Sequence, residues 1–239
     1  MKGVVLVTGG ARRIGRAISK ALAAAGWRVL VHARRADDRD ALALAGELGG
    51  RAFFADLAEP LGPARLFNDV CAAEPHVSAV VNNAALFSPA AELPPDEEAR
   101  LMAVNAVAPE KLTMMLGLRL MTNDENGQGL PRIGAAVNIL DSRILSAPPV
   151  TLYARSKAAL LDAQKRMAMQ FATWLRVNGV APGPVLAPIG AHEKGGETLL
   201  DARPTPADIA DAVVYLLSAK AVTGCVLPVD SGQNLLSPT

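Results

Sequence analysis

The chain has 239 residues, 51% of them hydrophobic and 20% charged, with 24 basic side chains against 23 acidic ones. That balance fits an ordinary soluble globular protein, and it excludes a strongly cationic nucleic-acid groove or an anionic membrane surface as the main partner. Cys71 and Cys225 stand far apart and form no CxxC pair, so two reduced thiols in a cytoplasmic protein are expected.

The N-terminal apolar run is too short for a secretory signal, and no stretch approaches the roughly 20 apolar residues that span a bilayer. VVLVT (4–8), bounded by glycines, predicts a buried strand. Helical spacing over 14–27 follows, through Ile14, Ile18, Ala21, Leu22 and Ala25. The alternation then repeats. Strands are expected at 28–33, 52–56, 77–84, 134–140, 176–183 and 225–230, with helices at 36–49, 64–73, 96–120, 150–174 and 206–218. The polar segment 121–132 reads as a surface loop. Apolar strands alternating with amphipathic helices imply α/β architecture: one Rossmann-type, doubly wound parallel sheet of about seven strands, helices on both faces, in a single domain over 1–239.

In such a fold ligands bind beyond the carboxyl ends of the strands. The first strand runs into TGGARRIG, where glycines allow a tight turn and a close approach of backbone to a pyrophosphate at the next helix N-terminus. A glycine-rich turn is also ordinary strand-to-helix punctuation, and its place on the first strand of a βαβ series is what gives it weight. Arg13 stands where the middle glycine is usual, placing a cation beside the phosphates. At the end of the second strand an acid would accept from an NAD ribose. This chain has Ala33, Arg34 and Arg35 there, and Arg12 nearby, which favours NADP over NAD. Asp56, at the end of the third strand, is either an adenine contact or a cap.

Thr8-Gly9 with Gly15, NNAA at 82–85, Asn105, Tyr153-x-x-x-Lys157, Pro182-Gly183 and VTGCVLPVDSG near the end occur in an order and spacing that resembles the short-chain dehydrogenase/reductase family along essentially the whole chain. Tyr153 and Lys157 lie one helical turn apart on one face, where an ammonium favours the phenolate and is expected to lower the tyrosine pKa from about 10. The resemblance implies Tyr153 as acid/base, Lys157 as a second holder of the nicotinamide ribose, and Asn105 as the residue ordering a proton-relay water. It further implies cofactor contacts from Thr8, Gly9, Arg12, Arg13, Ile14 and Gly15, from His32, Arg34 and Arg35, from Asp56 and Leu57, from Asn83 and Ala84, and from Pro182 and Gly183.

The family's catalytic serine falls three residues after a strand asparagine. Counting from Asn138 reaches Asp141, and Ser142 faces the other way. A serine donates to a ketone oxygen as it becomes an alkoxide; an ionised aspartate only accepts. A carboxylate instead suits a nitrogen heterocycle with N–H donors and a C=N bond whose nitrogen must receive a proton. The chain accordingly resembles the pteridine reductase and dihydromonapterin reductase branch, which carries Arg at the position of Arg13, Asp at that of Asp141, and an aromatic ring matching Phe87. The expected substrate contacts are Arg13, Phe87, Asp141 and Tyr153. Phe87 alone reads equally as a loop anchor packed on the core.

The resemblance thus implies an NADPH-dependent reductase of a dihydropterin or dihydrofolate. The competing readings are a carbonyl reductase resembling 3-oxoacyl-carrier-protein reductases, with Ser142 in the serine's place, and a non-catalytic NADP(H) sensor. Ser231 and Ala187 depart from the family pattern, and 189–206, including His192, occupies the place of a substrate-covering loop. The apolar surplus on the helix carrying Tyr153 (Leu160, Leu161, Met167, Met169 and Phe171) suggests a homodimer or homotetramer interface. No metal, nucleic acid or membrane partner is expected.

Overall fold

Seven parallel strands build one sheet in the order β3-β2-β1-β4-β5-β6-β7 in the computed structural model, which describes residues 2–126, 133–185 and 198–236. In chain order they are β1 (Gly3–Val7), β2 (Trp27–Ala33), β3 (Arg51–Phe54), β4 (Val77–Asn82), β5 (Gly134–Ile139), β6 (Leu175–Pro182) and β7 (Val226–Val229). The central strands carry Val, Leu, Ile and Ala on both faces, as burial on both sides requires.

Helices α1 (Arg13–Ala24), α2 (Arg39–Glu47) and α8 (Pro206–Ser218) cover one face, with Ile18, Leu22, Leu44, Ile209 and Val213 in the core there. On the other face lie α3 (Gly62–Ala73), α5 (Ala108–Asn126) and α7 (Leu152–Gln170), burying Leu66, Leu112, Leu116, Met167 and Phe171. Strand order reverses between β1 and β4, so the crevice at their carboxyl ends is the fold's natural ligand site.

Three expectations change. The helix foreseen at 96–120 is α4 (Pro95–Met102), a π turn (Ala103–Val107) and then α5. Pro109 has no N–H, so the carbonyl of Asn105 cannot receive its i+4 bond, and the ladder slips there to i+5, Ala108 N–H reaching Ala103 O. Next, α5 continues to Asn126, where a loop from 121 was foreseen; Thr122 folds its hydroxyl back on the carbonyls of Leu118 and Arg119. Residues 127–132 of that segment lie outside the described residues. A short helix, α6 (Arg143–Ser146), also follows β5, where only a connection was expected.

The surplus apolar face on α7 is mostly core. Leu160, Met167 and Phe171 are buried and Leu161 packs against Leu140 and Leu160, leaving Met169 exposed. No helix among the described residues is long and apolar enough to cross a membrane.

Candidate active site

Side-chain hydrogen bonds tie the first turn to the end of β4. Thr8 Oγ1 donates to Val81 O and accepts from the N–H groups of Asn83 (3.0 Å) and Ala84 (3.1 Å), while Asn83 Nδ2 donates to the carbonyls of Thr8 and Gly9, both at 3.0 Å. Four of the expected cofactor residues, Thr8, Gly9, Asn83 and Ala84, therefore shape the crevice floor through one another. Gly9 has φ +59°, and a Cβ on Gly15 would fall 2.1 Å from Gly9 O, so only glycine allows α1 to start this close to β1. Arg13, in the middle glycine's place, has φ +50°, a left-handed conformation held at some cost in strain. Ser231 repeats the pattern at φ +55°, which is why glycine is the usual residue there. The N-terminus of α1 has neither a capping side chain nor an acid in its first turn, leaving its N–H groups for an anion.

His32 lies under this turn, buried, its Nδ1 accepting from Gly9 N–H (3.3 Å) and its Nε2 donating to Ala55 O (3.0 Å). Burial brings its pKa down to about 4. Both nitrogens serve the protein, so His32 supports the expected cofactor site from beneath. Along the end of β2 runs an open groove of about 260 Å³ lined by Gly9, Arg12, His32, Ala33, Arg34 and Arg35, among others. The cations there are partly matched. Arg12 pairs with Asp38 (3.1 Å) and Asp40 (2.6 Å), and Arg35 with Asp37 (2.9 Å), all largely exposed except Asp38. Arg34 has no ion pair among the described residues.

Asp56 closes the turn after β3 and caps no helix, since α3 begins at Gly62 with Leu61 before it. One oxygen accepts from Ala58 N–H and the other from Arg100 (2.8 Å); against a burial that pushes the carboxyl up, these bonds hold it below its ordinary value. Leu57 is core and Ile14 packs on the opposite core face. Pro182 ends β6, its carbonyl accepting from Ser142 N–H, and Gly183 N–H bonds Val229 O. Ala187, His192 and 189–197 of the expected covering loop lie outside the described residues.

The opposite wall carries the chemistry. Thr151 caps α7 by accepting from Ala154 N–H (3.1 Å), placing Tyr153 in the first turn and Lys157 one turn on. Lys157 is buried; its Nζ donates to Ile139 O at 2.7 Å and lies 5.7 Å from the Tyr153 ring centroid. The Tyr153 hydroxyl has no protein hydrogen-bond partner among the described residues. The lowered tyrosine pKa expected from Lys157 is not what this arrangement gives. Burial, then the charge of Asp141, hold the phenol above its ordinary value, with Arg143 pulling the other way. Burial also brings Lys157 down to about 8, against the charge of Asp141.

Asn105 is fully buried on the π turn and grips the β4–α4 connection: its Oδ1 accepts from Leu86 N–H (2.7 Å), its Nδ2 donates to Leu86 O (2.8 Å) and to Ser156 Oγ (3.0 Å). Its side chain is thus committed to holding Phe87's loop against α7. Phe87, 48% exposed, meets Tyr153 edge to face with centroids 5.0 Å apart, so the core-anchor reading of Phe87 does not hold. Ser142 is fully buried. Asp141, next to it, has its carboxylate at the Tyr153 side, gripped by Arg143. Sequence reasoning missed Arg143 altogether; its spacing of two from Asp141 was the available signal.

A family model described as enoyl-(acyl carrier protein) reductase matches residues 9–234. The solved structure of FolM alternative dihydrofolate reductase 1 from Brucella canis, complexed with NADP, superposes with a TM-score of 0.85 at 30% identity, covering 99% of this chain and 96% of that one. Pteridine reductase 1 of Leishmania tarentolae is 29% identical over 97% of this chain and 96% of its own length. The human 3-oxoacyl-[acyl-carrier-protein] reductase is 29% identical over 99% of this chain and 100% of its own.

Proposed function

Because the chain belongs to the short-chain dehydrogenase/reductase family, we propose that it is an NADPH-dependent reductase of a pterin-type C=N bond, acting on a dihydropterin or dihydrofolate. The single observation that carries this reading is the Asp141–Ser142 pair: the carboxylate sits beside Tyr153, while the serine hydroxyl is fully buried and without a hydrogen-bond partner among the described residues. An acceptor-only group in that position suits a heterocycle with N–H donors and works against a developing alkoxide. The similarity to FolM and to pteridine reductase 1 agrees with it.

The residues present fit the dinucleotide. The glycine cradle at Gly9 and Gly15 and the uncapped α1 N-terminus suit the pyrophosphate, and Arg34, with Arg12 and Arg35 released from exposed ion pairs, suits a 2′-phosphate. NADPH, when bound, supplies the hydride. Tyr153 donates the proton to the substrate nitrogen, a phenol held above its ordinary pKa staying protonated across neutral pH. Lys157 fixes the end of β5 to α7 and presents a cation to the ribose side. Phe87 offers a half-exposed ring face to a flat heterocycle, worth about 1 kcal/mol beyond area burial. Arg13 lies at the turn where phosphate and substrate meet. The Asn105 carbonyl, whose i+4 donor would be the N–H that Pro109 lacks, is the group for a relay water.

The similarity to the human 3-oxoacyl reductase favours a second reading, a carbonyl reductase, and the buried Ser142 counts against it. The same protein is proposed to be a single-domain, cytoplasmic homo-oligomer, on the strength of two unpaired cysteines and the exposed Val107, Met114 and Leu118 on the π turn and α5; light scattering reads the mass. NADPH oxidation by wild type and Asp141→Ser, with a 7,8-dihydropterin, dihydrofolate and a β-ketoacyl thioester in parallel, tests the function. Dihydropterin turnover that Asp141→Ser loses is the expected result. Turnover of the thioester alone overturns it.

A further inference from the structure

Asp141 does not stand alone in the site. Its Oδ1 accepts from the main-chain N–H of Arg143 (2.9 Å) and from Arg143 Nε (2.9 Å), and its Oδ2 accepts from the same guanidinium's terminal nitrogen at 2.8 Å. The fork is closed over a span of two residues, at the first position of α6, so the turn that ends β5 and the orientation of the carboxylate are one unit. The acid side chain is 13% exposed and the arginine 60%, so the cation covers the carboxylate from the solvent side. The same guanidinium lies 5.9 Å from the centroid of the Tyr153 ring.

The lone pairs of the carboxylate can be assigned. An ionised carboxylate offers about four acceptor positions, two on each oxygen. Arg143 takes both on Oδ1 and one on Oδ2. One position on Oδ2 is left for a substrate donor. A side chain free to rotate would offer either oxygen, and a bidentate amidine-type ligand would compete with Arg143 for both. Among the described residues, the charges placed at the Tyr153 phenol are Asp141 after β5, Arg143 on α6 and Lys157 on its own helix; Phe87 meets its ring without charge. Asp141 and Arg143 act on the phenol with opposite sign, so the guanidinium screens the tyrosine from the carboxylate it holds.

We propose that Arg143 is a positioning and specificity-determining residue of this site: its fork fixes Asp141 as a single-donor acceptor through Oδ2, and its charge keeps the carboxylate from suppressing proton donation by Tyr153. The substrate half of this statement rests on the pterin reading above; the screening half does not, because Tyr153 donates in either reduction.

The test is the pH dependence of kcat/KM for wild type, Arg143→Gln and Arg143→Lys with NADPH, using a 7,8-dihydropterin and a β-ketoacyl thioester in parallel. Without the cation the phenol becomes a weaker acid. Arg143→Gln is expected to lower the plateau about tenfold and move the phenol's basic limb, which lies above that of Lys157 near pH 8, up by roughly 1–2 pH units, as a unit charge near 6 Å does at intermediate dielectric. Arg143→Lys, which keeps the charge and loses the fork, is expected to restore the limb and leave KM for the dihydropterin raised. A merely structural arginine would lower both variants alike without moving the limb. A wild-type limb in Arg143→Gln overturns the screening, and an unchanged dihydropterin KM in Arg143→Lys overturns the positioning. If wild type reduces only the thioester, the pterin reading falls, and the limb measured on that substrate still decides the screening.

Discussion

The two walls of the crevice are built by opposite means. The wall at β1, β2 and α1 is shaped by backbone geometry, by a buried neutral histidine and by ion pairs out in the solvent, among them Arg12–Asp40 and Arg35–Asp37. The wall at β5, the π turn and α7 is shaped by buried side chains, namely Lys157 on the Ile139 carbonyl, Asn105 on Leu86 and Asn82 on Asn138 across the β4–β5 register. Exposed pairs are worth about 0–1 kcal/mol and are easily exchanged for contacts to an anion. Buried polar groups cost far more to leave unmatched. The first wall can therefore trade partners as a charged ligand arrives, and the second holds a fixed proton donor in place.

The largest break in that comparison comes from the fixed wall. Tyr153→Phe removes a hydroxyl that no described protein group engages, so steady-state assay is expected to show kcat/KM down at least about a hundredfold, while the unfolding midpoint in urea stays within error of wild type. Coupled loss of activity and stability would return Tyr153 to a structural part.

A smaller effect belongs to the histidine under the first turn. Its folded pKa, about 4, lies below the unfolded value near 6.5, so the unfolded chain takes the proton first. The contribution is therefore complete above about pH 6.5 and is lost as pH falls toward 4, up to roughly 3 kcal/mol. Urea unfolding across that window, comparing wild type with His32→Asn, is expected to show the slope flattened in the variant. Parallel curves would mean that the Gly9 turn does not depend on a neutral ring.

The smallest effect sharpens the exchangeable wall. Arg34→Glu is expected to shift the NADPH-to-NADH ratio of kcat/KM by about ten- to a hundredfold toward NADH, with little change in urea midpoint because the residue is exposed. An unmoved ratio would place the 2′-phosphate elsewhere.

The alternation of apolar strands and amphipathic helices was enough to read the parallel sheet, because its pattern is local and period-specific. The spacing of Tyr153 and Lys157, the glycine cradle and the identity of Asp141 were equally legible, since each depends on residue type at a fixed separation. What the sequence reading got wrong depended on neighbours far along the chain. The apolar residues of α7 read as surplus in the sequence because their partners, such as Leu112 and Leu116 on α5, are visible only once the helices pack. The direction of the Tyr153 shift went astray for a similar reason: burial depends on everything around a side chain, and the lysine one turn away is aimed at a carbonyl on β5. The sequence by itself thus determined the sheet, the order of the site residues and the aspartate in the serine's place. Only the tertiary structure decided which of those residues support the crevice, which face it, and that Asp141 comes with Arg143 attached, because desolvation and hydrogen-bond geometry are properties of the packed molecule.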